Sequence, residues 1–315
     1  MRRALAPSAA ALAALALPGA ASAHVGGGAP VATDFEARIL TPAPGVAARV
    51  VDGDRMLWLR AAPHTEVLVP GAEGEPLLRF DARGVWLNLH SLTAQTDRID
   101  RFDLRPSTDP HTTPLWHRLT GGHSYTWHEH RLHVLEPLAH GKAASLGPWS
   151  VPLVVDGHTE RLAGVLDYRP PGAEWARIGV TAAFAVAAGA AAVVSSRFAV
   201  VLALAATPLV WTVRLARELY GRPAVGAVGY LEAAGTSLVG VAILYGLTRR
   251  DRDARTFAAF LVSLGSLYEG LTMLPVLTHA IALTLLPTAV ARTFVALILV
   301  LGVGALAGSI RERAA

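Results

Sequence analysis

The stretch WSVPLVVDGHTERLAGVLDYRPPGAEWAR, residues 149–177, contains the boundary that decides the fold. Its first twenty residues are two apolar, β-branched runs around Asp156-Gly157, the usual pair of a two-residue hairpin turn. Pro170-Pro171-Gly172 then makes a stiff linker, and Trp175 and Arg177 stand where interfacial anchors belong at the start of long apolar runs. A β-rich part therefore ends here and a membrane part begins.

Composition divides the chain at the same place. Its 315 residues are 52% hydrophobic yet carry 28 Lys+Arg and 24 Asp+Glu, a mixture that suggests two unlike parts and not one core. All of the 12 histidines except His279 precede residue 160. The formal charge of +4 comes mostly from arginine, with no basic block interleaved with aromatics, so nucleic acid is not an expected partner. The absence of cysteine excludes disulfides and thiolate ligands, and with them blue-copper, iron–sulfur and Cys-type zinc sites.

Upstream of residue 170 the pattern is short alternating runs broken by turn dipeptides, such as ARVVDGDRMLWLRA, PLLRFDARGVWLNL and SYTWHEHRLHVLE. This predicts an all-β sandwich of about seven to ten strands, with RPSTDPHTTPLWHRLTGGHS, residues 105–124, as a long loop. The N-terminus reads as a secretory signal over residues 1–23: Arg2 and Arg3, a short apolar core, and an Ala-Ser-Ala cleavage site. Cleavage makes His24 the first mature residue. The expected organisation is a signal peptide at 1–23, an extracytoplasmic β-sandwich at 24–172 and an all-α five-helix membrane domain at 173–315. The five spans are expected near 176–194, 198–216, 225–247, 256–277 and 287–308. Arg-rich segments after the first, third and fifth spans suit a cytoplasmic C-terminus in a bacterial-type inner membrane, by the positive-inside rule.

Within TWHEHRLH, strand alternation puts His128 and His130 on one face, with Trp127, Glu129, Arg131 and His133 on the other. His133 would need a bulge to join the pair. A mature N-terminal His24 offers its α-amino and ring nitrogens together, so His24, His128 and His130 make a four-nitrogen set of the kind that favours Cu(II). Zinc is the weaker alternative, because a tetrahedral set from His128, His130 and His133 requires that bulge. The bland alternatives are exposed strand histidines and a solvated Glu129–Arg131 charge pair.

His24 after the signal, followed by W-H-E-H at 127–130, resembles the histidine-brace copper site of the cupredoxin-like B subunit of particulate methane and ammonia monooxygenases. That resemblance covers His24, Trp127, His128 and His130, and implies a copper-binding sandwich of the cupredoxin or immunoglobulin-like type. The closing segment with Asp156-Gly157-His158 is similar to the CopC-type periplasmic copper-resistance proteins, which implies Asp156 and His158 as alternative partners of His24. The expected function is copper homeostasis or delivery. A copper-dependent oxidase and a metal-free sensor or assembly subunit with a membrane or periplasmic protein partner remain open alternatives.

In the apolar half, Glu232 and Glu269 fall at one depth in the third and fourth spans, roughly 10 Å below the outer face. Arg214 and Arg292 approach that level from the second and fifth spans, and His279 lies in the outer connection. Ionisable groups at such depth raise a functional reading beside the structural one of an ion-pair cluster that fixes helix packing.

Overall fold

The computed structural model describes residues 30–97, 99, 103–133, 142–171, 196–220 and 251–314, with scattered positions between 179 and 190 and residue 245. The chain divides into two units, Thr33–Pro170 and a unit from Pro171 onward to which residues 30–32 also belong. The first is β-rich and the second helical.

In the β-unit the strands are β1 (Phe35–Thr41), β2 (Val46–Val51), β3 (Met56–Ala61), β4 (Val67–Pro70), β5 (Pro76–Asp81), β6 (Gly84–Asn88), β7 (Trp116–Thr120), β8 (Ser124–His128), β9 (Ala144–Val155) and β10 (His158–Tyr168). A short helix α1 (Leu92–Thr96) follows β6. Seven strands form one sheet in the order β1-β10-β9-β4-β5-β6-β7, and β2-β3-β8 form a second. The alternating runs explain the layering. Leu57, Leu59 and Trp127 from the small sheet and Val69, Leu78, Phe80, Val85, Leu87, Val151, Leu153 and Leu162 from the large one belong to a single buried cluster. Burial of each such side chain is worth roughly 1.5–3 kcal/mol. The ten described strands agree with the sandwich that alternation predicts.

The long loop expected at 105–124 is in part regular structure. Trp116–Thr120 is an edge strand, paired to β6 through Asn88↔Trp116 and Trp86↔Arg118. Pro and Gly at both ends of that segment mark its turns, and the strand between them is too short to alternate visibly.

In the helical unit the described helices are α2 (Ser196–Leu219), α3 (Arg252–Thr272), the single turn α4 (Pro275–Thr278) and α5 (Thr288–Ala314). With α1 and a 3₁₀ turn at His130–Leu132, the described residues hold six helices in all, which is not the expected set of five spans. Two are long and apolar enough to cross a membrane, Phe198–Leu219 and Thr288–Arg311, and these suggest membrane association. The third expected span, near 225–247, lies outside the described residues apart from residue 245. Small residues let these helices approach closely: a Cβ on Gly270 would strike the Leu299 side chain, and one on Gly304 would meet that of Leu202.

Candidate functional site

The histidine segment does not continue as a strand. β8 ends at His128, opposite Met56 of β3, and Glu129 caps a 3₁₀ turn over His130–Leu132. A buried charge pair makes the break. Glu129 is fully buried, and its carboxylate accepts two hydrogen bonds from the Arg131 guanidinium, each 2.6 Å, and one from Trp127 Nε1 at 3.1 Å. Arg131 also donates to the carbonyl of Pro70 at 3.1 Å. Residues i and i+2 of a strand share a face and project away from the sheet. Here they instead meet over a tight turn as a fork, and the chain doubles back. Burial works to raise the Glu129 carboxyl, and the Arg131 hydrogen bonds and charge outweigh it and hold it below the ordinary carboxylate range. The reading of Glu129 and Arg131 as a solvated pair is thereby corrected.

The same turn overturns the parity expectation for His133. His133 comes back to His128, and their Nε2 atoms face each other at 2.9 Å. The His130 Nδ1 donates to Asp97 Oδ1 at 2.8 Å. No strand bulge is involved; the strand has simply ended.

Two carboxylates distant in sequence hold these rings. Asp54 lies in the β2–β3 connection, and its Oδ2 accepts from His133 Nδ1 at 3.0 Å. Asp97 caps the C-terminus of α1, fixed by its own N–H to the Thr93 carbonyl at 2.8 Å. That helix is anchored in turn at its start. Ser91 Oγ accepts from Ala94 N and donates to the buried Glu75, which also accepts from Thr93 N at 3.0 Å. The Asp97 side chain is 1% exposed, its Oδ1 lies 3.7 Å from His128 Nδ1, and its Oδ2 has no hydrogen-bond partner among the described residues. The three imidazoles remain partly open to solvent, with side chains 33%, 29% and 21% exposed for His128, His130 and His133.

A histidine whose Nδ1–H is held by a carboxylate presents a fixed and more basic Nε2, which is the usual outer support of a metal-ligating imidazole. His133 has that support from Asp54 and His130 has it from Asp97. Among the described residues no three His, Asp or Glu side chains converge well enough to hold an ion by themselves. The pair His128–His133 therefore supplies two nitrogens and needs further donors. His24 lies outside the described residues. Gly53, next to Asp54, packs against Thr33: a Cβ there would fall 2.5 Å from Thr33 Cγ2, so only glycine, here at φ +80°, fits.

Asp156 and His158 occupy a different place. Asp156 (φ +48°) and Gly157 (φ +80°) form the two-residue turn between β9 and β10. The Asp156 carboxylate accepts from Glu66 N at 2.8 Å, and His158 is exposed. Turn geometry and one backbone hydrogen bond account for the aspartate fully.

In the helical unit Glu232 lies outside the described residues. Arg292 serves the backbone: it donates to the carbonyls of Val276 (3.1 Å), Ala280 (3.2 Å) and His279, closing the end of α4. His279 Nδ1 sits 3.1 Å from the Pro275 carbonyl and from Thr278 Oγ1. Glu269 is within electrostatic reach of Arg214 and also of Glu218, both on α2, the latter not anticipated from sequence. Of the expected polar cluster, the described residues thus bring together Arg214 and Glu269, while Arg292 and His279 are engaged around α4.

Asp54 and Asp97 were invisible to sequence reasoning, because nothing local marks a carboxylate that meets a histidine 79 or 33 positions away. No family model, characterised protein or solved structure matches this chain.

Proposed function

We propose that the chain is a membrane-anchored protein whose β-unit binds copper on the extracytoplasmic side, for homeostasis or delivery to a partner. One observation supports the reading above all: the Nε2 atoms of His128 and His133 face each other at 2.9 Å, with the Asp54 carboxylate fixing one ring from behind. Nitrogen donors without thiolate suit Cu(II) over softer alternatives, and imidazoles supported by carboxylates are the form such donors take. The chain's further candidate donors are the α-amino and ring nitrogens of a mature N-terminal His24. The outer shell of a zinc site has the same form, so copper rests on the four-nitrogen count. A cytoplasmic C-terminus and a cupredoxin-like sandwich belong to this same proposal. The two apolar helices support membrane association, and the two-sheet core supports the sandwich.

The test compares the full chain processed to begin at His24 with the same chain bearing one additional alanine before His24. Competition titration with Cu(II) should give at least tenfold weaker binding for the extended form, because a peptide nitrogen has replaced the free amine. Equal affinities would remove His24 from the site.

A further inference from the structure

We propose that the second imidazole of the ion site is His133, not His130, and that Asp97 is a positioning residue which lets His128 change tautomer as the ion enters. The inference rests on the copper reading, and goes beyond it by naming the ligand pair and the proton movement that loading requires.

The tautomers follow from the partners. Asp54 Oδ2 is an acceptor, so His133 carries its proton on Nδ1 and, as a neutral ring, presents a bare Nε2. The facing Nε2 of His128 lies 2.9 Å away and must then be the donor. His128 Nδ1 is in consequence bare, which agrees with its 3.7 Å separation from Asp97 Oδ1, too long for a hydrogen bond.

An ion held by both Nε2 atoms needs both lone pairs. His133 offers one already. For His128 the proton must leave Nε2 and appear on Nδ1, with no change in charge or in the number of protons bound. The Nδ1 side of that ring faces Asp97. That carboxylate is buried, already accepts from His130 through Oδ1, and keeps Oδ2 without a partner among the described residues. Its Oδ1, 3.7 Å from His128 Nδ1, is the oxygen placed to accept an N–H that arrives there. Asp97 thus offers an acceptor to the tautomer that the metal-free pair does not adopt.

The same geometry argues against His128 and His130 as a ligand pair. Their Nδ1 atoms both turn toward one oxygen of Asp97, at 3.7 and 2.8 Å, so that side of the rings holds a carboxylate, and the Nε2 that meets His128 Nε2 is that of His133. His130 donates there, and its part is to hold Asp97 in place. The 2.9 Å between the two Nε2 atoms is also close to the spacing of adjacent nitrogens around a planar ion, about 2.8 Å when each bond is about 2.0 Å.

The full chain, with His24 as its first residue, would be titrated with Cu(II) alongside His133→Gln, His130→Asn, His130→Ala and Asp97→Asn, with circular dichroism reporting the fold of each. His133→Gln should weaken binding at least tenfold. His130→Asn retains a donor for Asp97 and should bind within about threefold of the parent, whereas His130→Ala and Asp97→Asn should each lose more than that. Loss in His130→Asn with retention in His133→Gln would overturn this inference and leave the copper reading standing. A parent chain that binds no Cu(II) would overturn both. Independently of any variant's folding, ¹⁵N NMR of the metal-free parent should find the proton of His128 on Nε2 and that of His133 on Nδ1. A proton on His128 Nδ1 in that state would remove the tautomer change.

Discussion

The segment from Trp127 to His133 and the hairpin from Val155 to His158 have much in common: each follows an apolar strand, and each joins an acidic residue to histidine. Their backbones give those residues opposite uses. In the hairpin, Asp156-Gly157 is the turn, and its carboxylate serves the N–H of Glu66 while His158 points to solvent. After β8 no glycine, proline or asparagine marks a turn. The chain is bent by a buried Glu129–Arg131 fork that also takes the Trp127 N–H, and the bend delivers His133 to His128. A turn specified by local chemistry leaves its side chains uncommitted to anything distant. A turn specified by buried charge fixes the side chains beside it, and that fixity suits a ligand site.

The largest effect expected is from breaking the buried fork. Glu129→Ala leaves the part-buried Arg131 guanidinium without its carboxylate and should lower stability by about 3 kcal/mol, measured by denaturant unfolding. Acid should do the same more gently. Because the folded-state pKa of Glu129 lies below its ordinary value of 4.5, its contribution is fully present above that pH and is lost as pH falls through the lower, folded value. Unfolding midpoints should therefore decline below about pH 4.5, and Glu129→Gln should flatten that decline. A decline equally steep in Glu129→Gln would assign it to other carboxylates.

A smaller effect falls on the outer support of the histidine pair. Asp54→Asn should weaken Cu(II) binding by about 10–100-fold while changing the unfolding midpoint little, since the amide fills the same space but holds the His133 ring less firmly. On the other side of the comparison, Asp156→Ala removes one side-chain hydrogen bond and puts alanine at a positive φ. It should destabilise by about 1–2 kcal/mol and leave Cu(II) affinity unchanged. His158→Ala should change neither quantity measurably. Loss of Cu(II) binding in either hairpin variant would reverse the assignment of roles.

These contrasts also show what the sequence disclosed and what it withheld. The sandwich was legible because its strands alternate and its turns carry Asp-Gly at 52–53 and 156–157, both with positive φ at each position. The change from β-rich to helical near Pro170 was legible because composition changes there. The histidine geometry was not: alternation assumes that the strand continues, and the residues that end it act through tertiary burial and leave no local signature. Asp97 was hidden further, at the end of a five-residue helix that no periodicity announces. In the helical unit, Glu269 and Arg214 were found from depth alone. Arg292 there also donates to the carbonyls that end α4, which depth alone does not announce.

The central claim is that His128 is the pivot of a single copper site, since it belongs to every ligand set considered except the one built on Asp156 and His158. Equilibrium dialysis of the full chain and of His128→Ala against Cu(II), with metal content per chain as the readout, tests it most directly. The account predicts one ion per parent chain and none retained by the variant at the same free copper. Equal metal content in the two, with both folded, would contradict it.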